Sequence, residues 1–343
     1  MNTMVKVQTQ TMQATWYEQN GAVDVLQTGT LPIPEVGAGE ALVRVHASGV
    51  NPSDTKGRSG WGGMTMPFPR VIPHNDGAGI IEQVGTGVSV DRIGDRVWIY
   101  EAQRGRPFGT AAEYVVVPSQ QAVSLPANTS FMEGACLGIP AMTAHRAIFA
   151  NGTVEGKTIL VTGGAGAVGC YAVQLAKWGG ATVITTVSRP EQAELAQAVG
   201  ADYVINYKAE DVVARIREIT GGKRGIDRVV DVDFAANVPV SEAVLKPNGA
   251  IATYYTSGGA GASPAIPFFP LLINNITILI VLVYTMPETA KQEAIRDINA
   301  ALSGGVLKHN IAHRFSLQEV AAAHEAQDSG QMIGKAIIAI AST

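Results

Sequence analysis

The stretch TILVTGGAGAVG, residues 158–169, decides the fold. A β-rich run leads directly into three glycines spaced as G-x-G-x-x-G, and the run GCYAVQLAKW, which starts at the last of them, is typical of a helix. In this motif the glycines permit a tight turn, a close approach of backbone amides to a pyrophosphate, and close packing of the helix on the strand. Free N–H groups at the start of the helix favour negative charge. We therefore predict a dinucleotide diphosphate site formed by Gly164, Gly166, Ala167, Val168 and Gly169.

The end of the next strand indicates which dinucleotide binds. Sites for NAD place an Asp or Glu about 20 residues after the glycines, where it binds the ribose 2′-hydroxyl. Here the run TVITTV ends at Ser188 and Arg189. A hydroxyl and a guanidinium would bind the 2′-phosphate of NADP, and no acid stands there to repel it. The alternative is that Ser188 caps the following helix and Arg189 is a solvated charge, and both roles can coexist. We predict NADPH.

Strands and helices alternate through the middle of the chain. The runs ATVITTVS, DYVINY, RVVDV and AIATYYT follow the first strand, and the amphipathic runs between them end at glycines. One of these helices is expected to place Val212, Val213, Ile216 and Ile219 on a single face. With the apolar run ITILIVLVY there are about six strands, as in a doubly wound sheet. The predicted fold class is therefore α/β, with a parallel sheet and right-handed crossovers.

The composition narrows the class of protein. A chain of 343 residues suits two domains, and 46% hydrophobic with 16% charged residues is typical of a globular protein. The net charge of −4 argues against a nucleic-acid partner, which would need a basic surface. Cys136 and Cys170 provide neither a disulfide framework nor a thiolate metal cage. Because residues 1–16 contain no apolar run long enough for a signal peptide, we predict a cytoplasmic protein.

One uncharged segment, PFFPLLINNITILIVLVYTM (267–286), is about as long as the ~20 residues of a membrane helix. Two prolines and the pair Asn274–Asn275 interrupt it and leave the apolar run ITILIVLVY. This run is rich in β-branched residues, which is typical of a fully buried strand. We predict a buried strand and no membrane span.

The two ends of the chain flank this α/β region. The front contains the β-rich runs ALVRVHASGV, AGIIEQVG, DRVWIY and AAEYVVV, separated by turn residues. The tail contains a predicted helix, TAKQEAIRDINAALSGG, a second around SLQEVAAAHEAQ, and a final strand, KAIIAIA. We expect the tail to rejoin the front. The predicted boundaries are 1–133 with 291–343 for one domain and 134–290 for the other.

With these residues the chain resembles the medium-chain dehydrogenase/reductase superfamily, in its quinone oxidoreductase (zeta-crystallin-like) branch. The resemblance covers nearly the whole chain, and its markers are specific together rather than singly. Besides the glycine turn they are GVNPSDTKGRSG (49–60), AGIIEQVGTGVSVDRIGDRVW (78–98), GTAAEYVVVP (109–118), ACLGIPAMTAHRAIF (135–149), AVGADYVINY (198–207) and the tail AHEAQDSGQMIGKAII.

The resemblance implies a GroES-like, β-rich catalytic domain built from the two ends of the chain and a Rossmann domain in the middle, with the cofactor in the cleft between them. It implies that Asn51 faces the nicotinamide, that Thr143 contacts the cofactor ahead of the glycine turn, and that Lys335 reaches the cofactor from the tail.

The resemblance also completes the two ends of the cofactor site. It implies that Tyr207 joins Ser188 and Arg189 around the 2′-phosphate, although a strand-end tyrosine is also a common half-buried residue. Ser257 and Gly258, which follow the strand AIATYYT, are implied to lie near the nicotinamide.

Zinc alcohol dehydrogenases resemble the chain at the same landmarks, so the ligand residues decide whether a metal binds. A catalytic zinc needs three protein ligands from Cys, His, Asp or Glu. Asn51 stands at the position of the first cysteine ligand, Asn75 at that of the usual histidine, and Ile139 near that of the second cysteine. His74 and Asp76 are nearby, but two residues do not complete a site. We predict no metal.

Without a Lewis acid to polarise a carbonyl, acceptors that are already electrophilic are favoured. Quinones and alkenes conjugated to a carbonyl need only hydrogen-bond donors, together with a proton from a side chain or water. We therefore predict hydride transfer from NADPH to a quinone or an α,β-unsaturated carbonyl compound, with Asn51 and Lys56 as candidate catalytic residues. The alternatives are a zinc-free carbonyl reductase or alcohol dehydrogenase acting on ketones or aldehydes, and a protein that binds NADPH without turnover.

The segment that carries Lys56 departs from the family pattern. Many relatives have D-T-Y-I-R-S-G where this chain has DTKGRSG (54–60), and enoyl-reducing relatives often have a proton-donating tyrosine roughly where Trp61 stands. Lys56 therefore replaces the first tyrosine. It can donate a proton if it is buried beside the substrate ring. The alternative, which we favour, is a solvated surface lysine.

The apolar run ITILIVLVY also bears on assembly. If it ends the central sheet, it leaves an unpaired edge that pairing with a twofold mate would cover. Relatives in this branch commonly dimerise in this way, so we predict a homodimer.

Overall fold

A computed structural model describes residues 10–340 of the chain. Most of its strands coincide with the β-rich runs of the sequence. The strands are β1 (Thr11–Trp16), β2 (Gln27–Pro32), β3 (Glu40–Gly49), β4 (Asp76–Val84), β5 (Arg96–Ile99), β6 (Tyr114–Pro118), β7 (Ala122–Ser124), β8 (Thr158–Val161), β9 (Thr182–Val187), β10 (Tyr203–Asn206), β11 (Ile226–Asp231), β12 (Leu245–Thr253), β13 (Thr277–Ile280), β14 (Ile311–Ser316) and β15 (Lys335–Ala339). Strands β1, β2, β7 and β14 lie outside the runs named above.

Most helices of the central α/β region and of the tail lie where helical periodicity was predicted. The helices are α1 (Pro52–Ser59), α2 (Phe131–Gly134), α3 (Gly138–Phe149), α4 (Ala167–Trp178), α5 (Pro190–Ala198), α6 (Val212–Ile219), α7 (Phe234–Val244), α8 (Phe268–Ile273), α9 (Glu288–Ser303) and α10 (Val320–Asp328). Helices α1, α2, α3 and α8, by contrast, were not predicted as helices.

The described residues fall into two units. We call the residues up to Gly138 together with those from Ile311 onward the split unit, and Ile139–Asn310 the central unit. The predicted boundary at 133/134 thus falls near the observed one, whereas the boundary predicted at 290/291 is wrong. Helix α9 lies in the central unit, and Ala294, Ile298 and other apolar side chains on it are buried.

A seven-stranded sheet forms the frame of the split unit. Its strand order is β14-β15-β3-β4-β5-β7, with β6 paired to β3. Val43, Val45, Ile81 and Val97 belong to its fully buried core. Strand β15 from the tail pairs antiparallel with β3, so the tail rejoins the front as expected.

The central unit contains a six-stranded parallel sheet in the order β10-β9-β8-β11-β12-β13. The chain moves outward from β8 to β10 and then crosses back to β11, which creates a switch point between β8 and β11. Helices connect most successive strands, and Ile216 of α6 is buried against the sheet core, with Val212, Val213 and Ile219 packed around it. The predicted α/β class with a doubly wound parallel sheet is confirmed.

The apolar run 276–284 differs from its prediction. Strand β13 covers only Thr277–Ile280, and a short 3-10 turn follows at Val283–Thr285. The expectation of a fully buried strand is wrong, because β13 is the last strand of the sheet order and Ile280 is 79% exposed. The run therefore supplies the last strand of the sheet. For that case the sequence predicted that one side of the strand would be left without a neighbouring strand.

Within residues 10–340 no helix is both long and apolar enough to cross a membrane. The expectation that no signal peptide is present concerns in part residues 1–9, which lie outside the described residues.

Candidate functional site

The glycine turn joins β8 to α4 in the central unit. The left-handed backbone of the turn lies at Gly163, with φ at 70°, rather than at the first glycine of the predicted motif. Gly164 is needed for a different reason, since a Cβ there would lie 2.0 Å from Thr185 Oγ1. At Gly169 a Cβ would lie 2.2 Å from the carbonyl oxygen of Gly163, so only glycine lets α4 pack this closely on the turn.

The start of α4 is open to an anion. Gly166 is its N-cap, is exposed, and makes no side-chain capping bond. Ala167 and Val168 are the first helical residues and are half-buried. The first N–H groups of a helix have no intrahelical acceptor, and the helix dipole adds positive character there. The turn therefore fits the diphosphate of a dinucleotide.

The ends of β9 and β10 lie beside the glycine turn. The Gly164 N–H donates to the Thr186 carbonyl at 3.2 Å, and the Tyr207 N–H donates to the Val187 carbonyl at 3.0 Å. Ser188 and Arg189 are the next two residues and are half-buried, while Tyr207 is 53% exposed. The structure therefore brings these three predicted phosphate contacts to the carboxyl ends of the parallel strands, where the glycines also lie. Arg189, rather than Ser188, is the N-cap of α5.

Ser188 is held by a neighbour in α5. The Gln192 side-chain carbonyl accepts from both the backbone N–H of Ser188, at 2.9 Å, and its hydroxyl, at 3.0 Å. The Ser188 oxygen keeps its acceptor capacity, and the hydroxyl would exchange one acceptor for another if it bound a phosphate.

The remaining predicted cofactor contacts of the central unit lie outside the glycine turn and the segments that follow β9 and β10. Ser257 and Gly258 follow β12, are exposed, and are tied down by a bond from the Ser257 N–H to Asp233 Oδ1 at 2.8 Å. Gly258 has φ at 95°, which favours glycine. Thr143 is buried in α3, where its hydroxyl donates to the Ile139 carbonyl at 2.6 Å.

A buried polar cluster lies where β3, β4 and β15 meet in the split unit. Lys335 Nζ donates to Asp76 Oδ2 at 2.6 Å and to Asn51 Oδ1 at 2.7 Å, and Asn51 Nδ2 donates to Asp76 Oδ2 at 2.9 Å. Asp76 is fully buried and the other two are 3% exposed. Two of the predicted site residues, Asn51 and Lys335, are thus in direct contact around a carboxylate that sequence reasoning assigned no role.

A second carboxyl caps the helix that follows Asn51. Asp54 Oδ2 accepts from the Asn51 backbone N–H at 2.8 Å, and Asp54 Oδ1 accepts from Asn75 Nδ2 at 3.0 Å. Burial, reinforced by the nearby Asp76 carboxylate, raises the pKa of Asp54 to about 7. Asn75 Oδ1 is buried and has no hydrogen-bond partner.

Two histidines continue the polar network away from this cluster. Arg58 Nε donates to His324 Nδ1 at 3.2 Å, and His324 Nε2 lies 2.9 Å from His74 Nε2. Burial and the Arg58 charge lower the pKa of His324 to about 3, and burial lowers the pKa of His74 well below its usual value. Both rings are therefore neutral near neutral pH. Since His324 accepts at Nδ1, its proton is on Nε2, and it donates to His74.

From His74 the donors continue in one direction. With its Nε2 accepting, His74 carries its proton on Nδ1 and donates to Ser48 Oγ at 2.8 Å. Ser48 then donates to Thr110 Oγ1 at 2.7 Å, and Thr110 donates to the backbone carbonyl of Asp76 at 2.6 Å. His74 has φ at 80°, which is unfavourable for a residue with a side chain. The network holds it there, one residue before Asn75.

Lys56 lies on α1. The residue is half-buried, and its ammonium lies over the Trp61 ring, 4.7 Å from the ring centroid. Burial lowers the pKa of Lys56 from its ordinary value. The ring of Trp61 covers one side of the ammonium, and the favoured interpretation, a solvated surface lysine, stays a prediction.

The fold and the glycine turn together define a dinucleotide-binding dehydrogenase of two units. Residues 37–127 match the family model for the alcohol dehydrogenase GroES-like domain, and residues 167–300 match the model for zinc-binding dehydrogenases. The chain belongs to the quinone oxidoreductase (zeta-crystallin-like) branch of the medium-chain dehydrogenase/reductase superfamily.

Two relatives and one solved structure illustrate this membership. A quinone oxidoreductase of Pongo abelii is 31% identical over 86% of this chain and 86% of its own length. A 2-haloacrylate reductase of a Burkholderia species is 31% identical over 88% of this chain and 91% of its own length. The quinone oxidoreductase of Escherichia coli, solved in complex with NADPH, superposes with a TM-score of 0.82 at 27% identity, covering 95% of this chain and 99% of that one.

Proposed function

We propose that this NADPH-dependent oxidoreductase reduces a quinone or an α,β-unsaturated carbonyl compound, and that it does so without zinc. The observation that carries the proposal is the buried cluster of Asn51, Asp76 and Lys335, which offers hydrogen-bond donors to a developing negative charge. A quinone oxidoreductase and a 2-haloacrylate reductase among the relatives act on acceptors of these two classes.

The cofactor is NADPH. The glycine turn provides a cradle for its diphosphate, which a Cβ at Gly164 or Gly169 would fill. We propose that its 2′-phosphate is surrounded by Ser188, Arg189 and Tyr207. They offer a hydroxyl, a guanidinium and a phenol at the carboxyl ends of the strands, where NAD enzymes place an acid. The family's solved structures include one in complex with NADPH.

The residues at the position of a zinc site do not fit zinc. A cationic ammonium, Lys335 Nζ, already lies against the carboxylate of Asp76, and the amide of Asn51 stands at the position of the first cysteine ligand of zinc alcohol dehydrogenases. His74 faces Ser48 and His324 instead of this carboxylate. Within residues 10–340 no group of three His, Cys, Asp or Glu side chains is arranged to hold a metal ion. We therefore propose zinc independence despite the name of the family model.

When bound, NADPH supplies a hydride, which would be transferred to an electrophilic carbon of the acceptor and leave charge on its carbonyl oxygen. Asn51, implied by the family to face the nicotinamide, is proposed to donate a hydrogen bond to that oxygen. Lys56 is the second candidate donor, since the residue is half-buried and burial lowers its pKa. The proton that completes the product would come from Lys56 or from water.

The test is NADPH oxidation, followed at 340 nm against a naphthoquinone, an enone, a ketone and an aldehyde. We expect turnover with the first two and little with the others. Turnover confined to the ketone or aldehyde would instead favour the zinc-free carbonyl reductase, and tight NADPH binding with no turnover on any acceptor would favour the non-catalytic alternative. Elemental analysis and a chelator test the metal: we expect far less than one zinc per chain and unchanged activity with o-phenanthroline.

We also propose a homodimer formed through the edge of the central sheet. Strand β13 has a neighbour on one side only within the described residues, and the adjoining helix α8 exposes large apolar side chains. These side chains are Phe268, Phe269, Leu272 and Ile273. A second copy paired with β13 would cover them.

The cytoplasmic location stays a prediction.

A further inference from the structure

Lys335 is a buried cation in the split unit. Its side chain is 3% exposed and its ammonium donates to the fully buried Asp76 carboxylate at 2.6 Å. A buried ion pair is a costly arrangement, and apolar residues of the same size are often at least as stable. A role in stability alone therefore does not account for the pair.

Two glycines provide the room for this pair. A Cβ at Gly49 would lie 2.7 Å from Lys335 Cε, and also 2.1 Å from the carbonyl oxygen of Ala135. A Cβ at Gly138 would lie 2.2 Å from Asp76 Oδ1. The backbone thus leaves space for the carbon stem of the lysine and for the carboxylate.

The pair fixes the side-chain amide of Asn51 in one orientation. Its oxygen faces the ammonium at 2.7 Å, and its nitrogen faces the carboxylate at 2.9 Å. Turning the amide over would set its NH₂ group against the ammonium and its oxygen against the carboxylate, and both contacts would be repulsive. An amide nitrogen has two hydrogens, and Asp76 accepts only one of them. The other remains as a donor, polarised by the cation on the amide oxygen.

We propose that Lys335 and Asp76 are positioning residues for hydride transfer, which hold the Asn51 amide with its second N–H directed at the carbonyl oxygen of the acceptor. The inference rests on the proposed function. It adds to that function how the buried Lys335 ammonium orients the Asn51 amide. It also differs from the role that the family resemblance implies for Lys335, a direct contact with the cofactor.

The test compares the variants Lys335→Met, Asp76→Asn and the double variant Asp76→Asn/Lys335→Met. The single variants each leave one buried charge without its partner, so a lower Tm is expected in both. The double variant has no unpaired charge, and its Tm should return close to that of the wild type. It therefore separates the loss of folding from the loss of orientation. Lys291→Met, which removes a buried lysine of the central unit, is the matched control.

The decisive measurement is single-turnover NADPH oxidation by stopped flow, with an acceptor that the wild type reduces. A loss of folded protein lowers the amplitude, whereas a loss of orientation lowers the first-order rate constant. We expect the rate constant of the double variant to fall roughly 10- to 100-fold, somewhat less than for removal of an oxyanion donor itself. We expect its amplitude and its Kd for NADPH, from nicotinamide fluorescence, to stay within about threefold of the wild type. Lys291→Met should keep the rate constant.

Two results would overturn the inference. A double variant with a wild-type rate constant would mean that Lys335 only neutralises a buried carboxylate. A weaker Kd for NADPH with an unchanged rate constant would make Lys335 a cofactor contact. Failure of the proposed function is visible earlier, because the wild type would then oxidise NADPH with neither the quinone nor the enone.

Discussion

Arg189 is the charged residue among the three that are proposed to bind the 2′-phosphate and so to separate NADPH from NADH. It is half-buried, follows Ser188, and lies at the same sheet edge as Tyr207. In Arg189→Asp a negative charge would face the 2′-phosphate. We expect the KM for NADPH to rise roughly 10- to 100-fold, as for a lost charge-assisted contact of about 1.5–3 kcal/mol, and the preference to shift toward NADH.

Steady-state kinetics with both cofactors measures this change. Arg217→Asp is the charge-matched control, because Arg217 is an exposed residue of α6 in the same unit. Unchanged cofactor preference in Arg189→Asp would refute the 2′-phosphate assignment.

Asp54 gives the stability of the protein an opposite pH dependence to that of most carboxyls. Burial raises its folded pKa from 3.8 to about 7, so between these values the native state holds a proton that the unfolded chain has lost. Its contribution to the free energy of unfolding therefore falls as the pH rises from about 4 to about 7. Asp54→Asn removes this titration, and the Asn75 amide can turn its unpartnered Oδ1 toward the new NH₂ group.

Urea unfolding of the wild type and of Asp54→Asn at about pH 5 and about pH 8 checks this. The wild type should lose more stability between the two conditions than Asp54→Asn does. Asp91→Asn, at an exposed carboxyl, should behave like the wild type. Parallel losses in the wild type and Asp54→Asn would show that another group carries the effect.

The residues of the glycine turn were predictable because their motif is local and its geometry follows from glycine itself. The cluster around Asp76 was not, because Lys335 is 259 residues away in sequence. The same holds for His324, which reaches His74 across 250 residues. Of these two histidines, the sequence drew attention only to the one in IPHNDGAG. That its backbone is left-handed could not be read from the sequence.

At the scale of elements, the turn from β8 to α4 depends on the absence of a side chain at Gly169. Alanine favours a helix over glycine by about 1 kcal/mol. In Gly169→Ala, however, the new Cβ would lie 2.2 Å from the Gly163 carbonyl oxygen. We expect weaker NADPH binding by roughly 5- to 100-fold, from about 1–3 kcal/mol of strain, and a lower Tm.

Fluorescence titration with NADPH and thermal unfolding measure the two effects. Gly261→Ala is the control, since a Cβ there would meet nothing within 4 Å. Equal NADPH affinity in Gly169→Ala and the wild type would contradict the close packing of helix on turn.

The elements of the parallel sheet were well predicted because strand and helix periodicities alternate clearly between Thr158 and Thr253. The exposure of β13 was not, because a run of β-branched residues looks the same at a sheet edge as in its interior. Helix α9 was assigned to the wrong unit for a related reason. Its sequence shows an apolar face but does not show which core that face joins.

At the scale of the whole molecule, the exposed edge of the central sheet predicts an assembly of two chains. Ile280 is 79% exposed on β13. In Ile280→Glu a charge would be buried in the proposed interface, so we expect the wild type to be a dimer and this variant a monomer at micromolar concentration. Size-exclusion chromatography with light scattering measures the mass.

Val90→Glu is the control, because Val90 is 71% exposed in the split unit and should leave the dimer intact. A monomeric wild-type protein at micromolar concentration would contradict the proposed dimer.

The pairing of β15 with β3 has a consequence for how the protein is made on the ribosome. The central unit is continuous in sequence and can fold as soon as it has been translated. Asp76, by contrast, has to wait until Lys335 is synthesised, which takes roughly 10–50 s at 5–20 residues per second. During that interval the carboxylate lacks its cation, and β3 lacks its pairing with β15. The front of the chain is therefore the part that completes its buried polar cluster last, after the central unit has been synthesised.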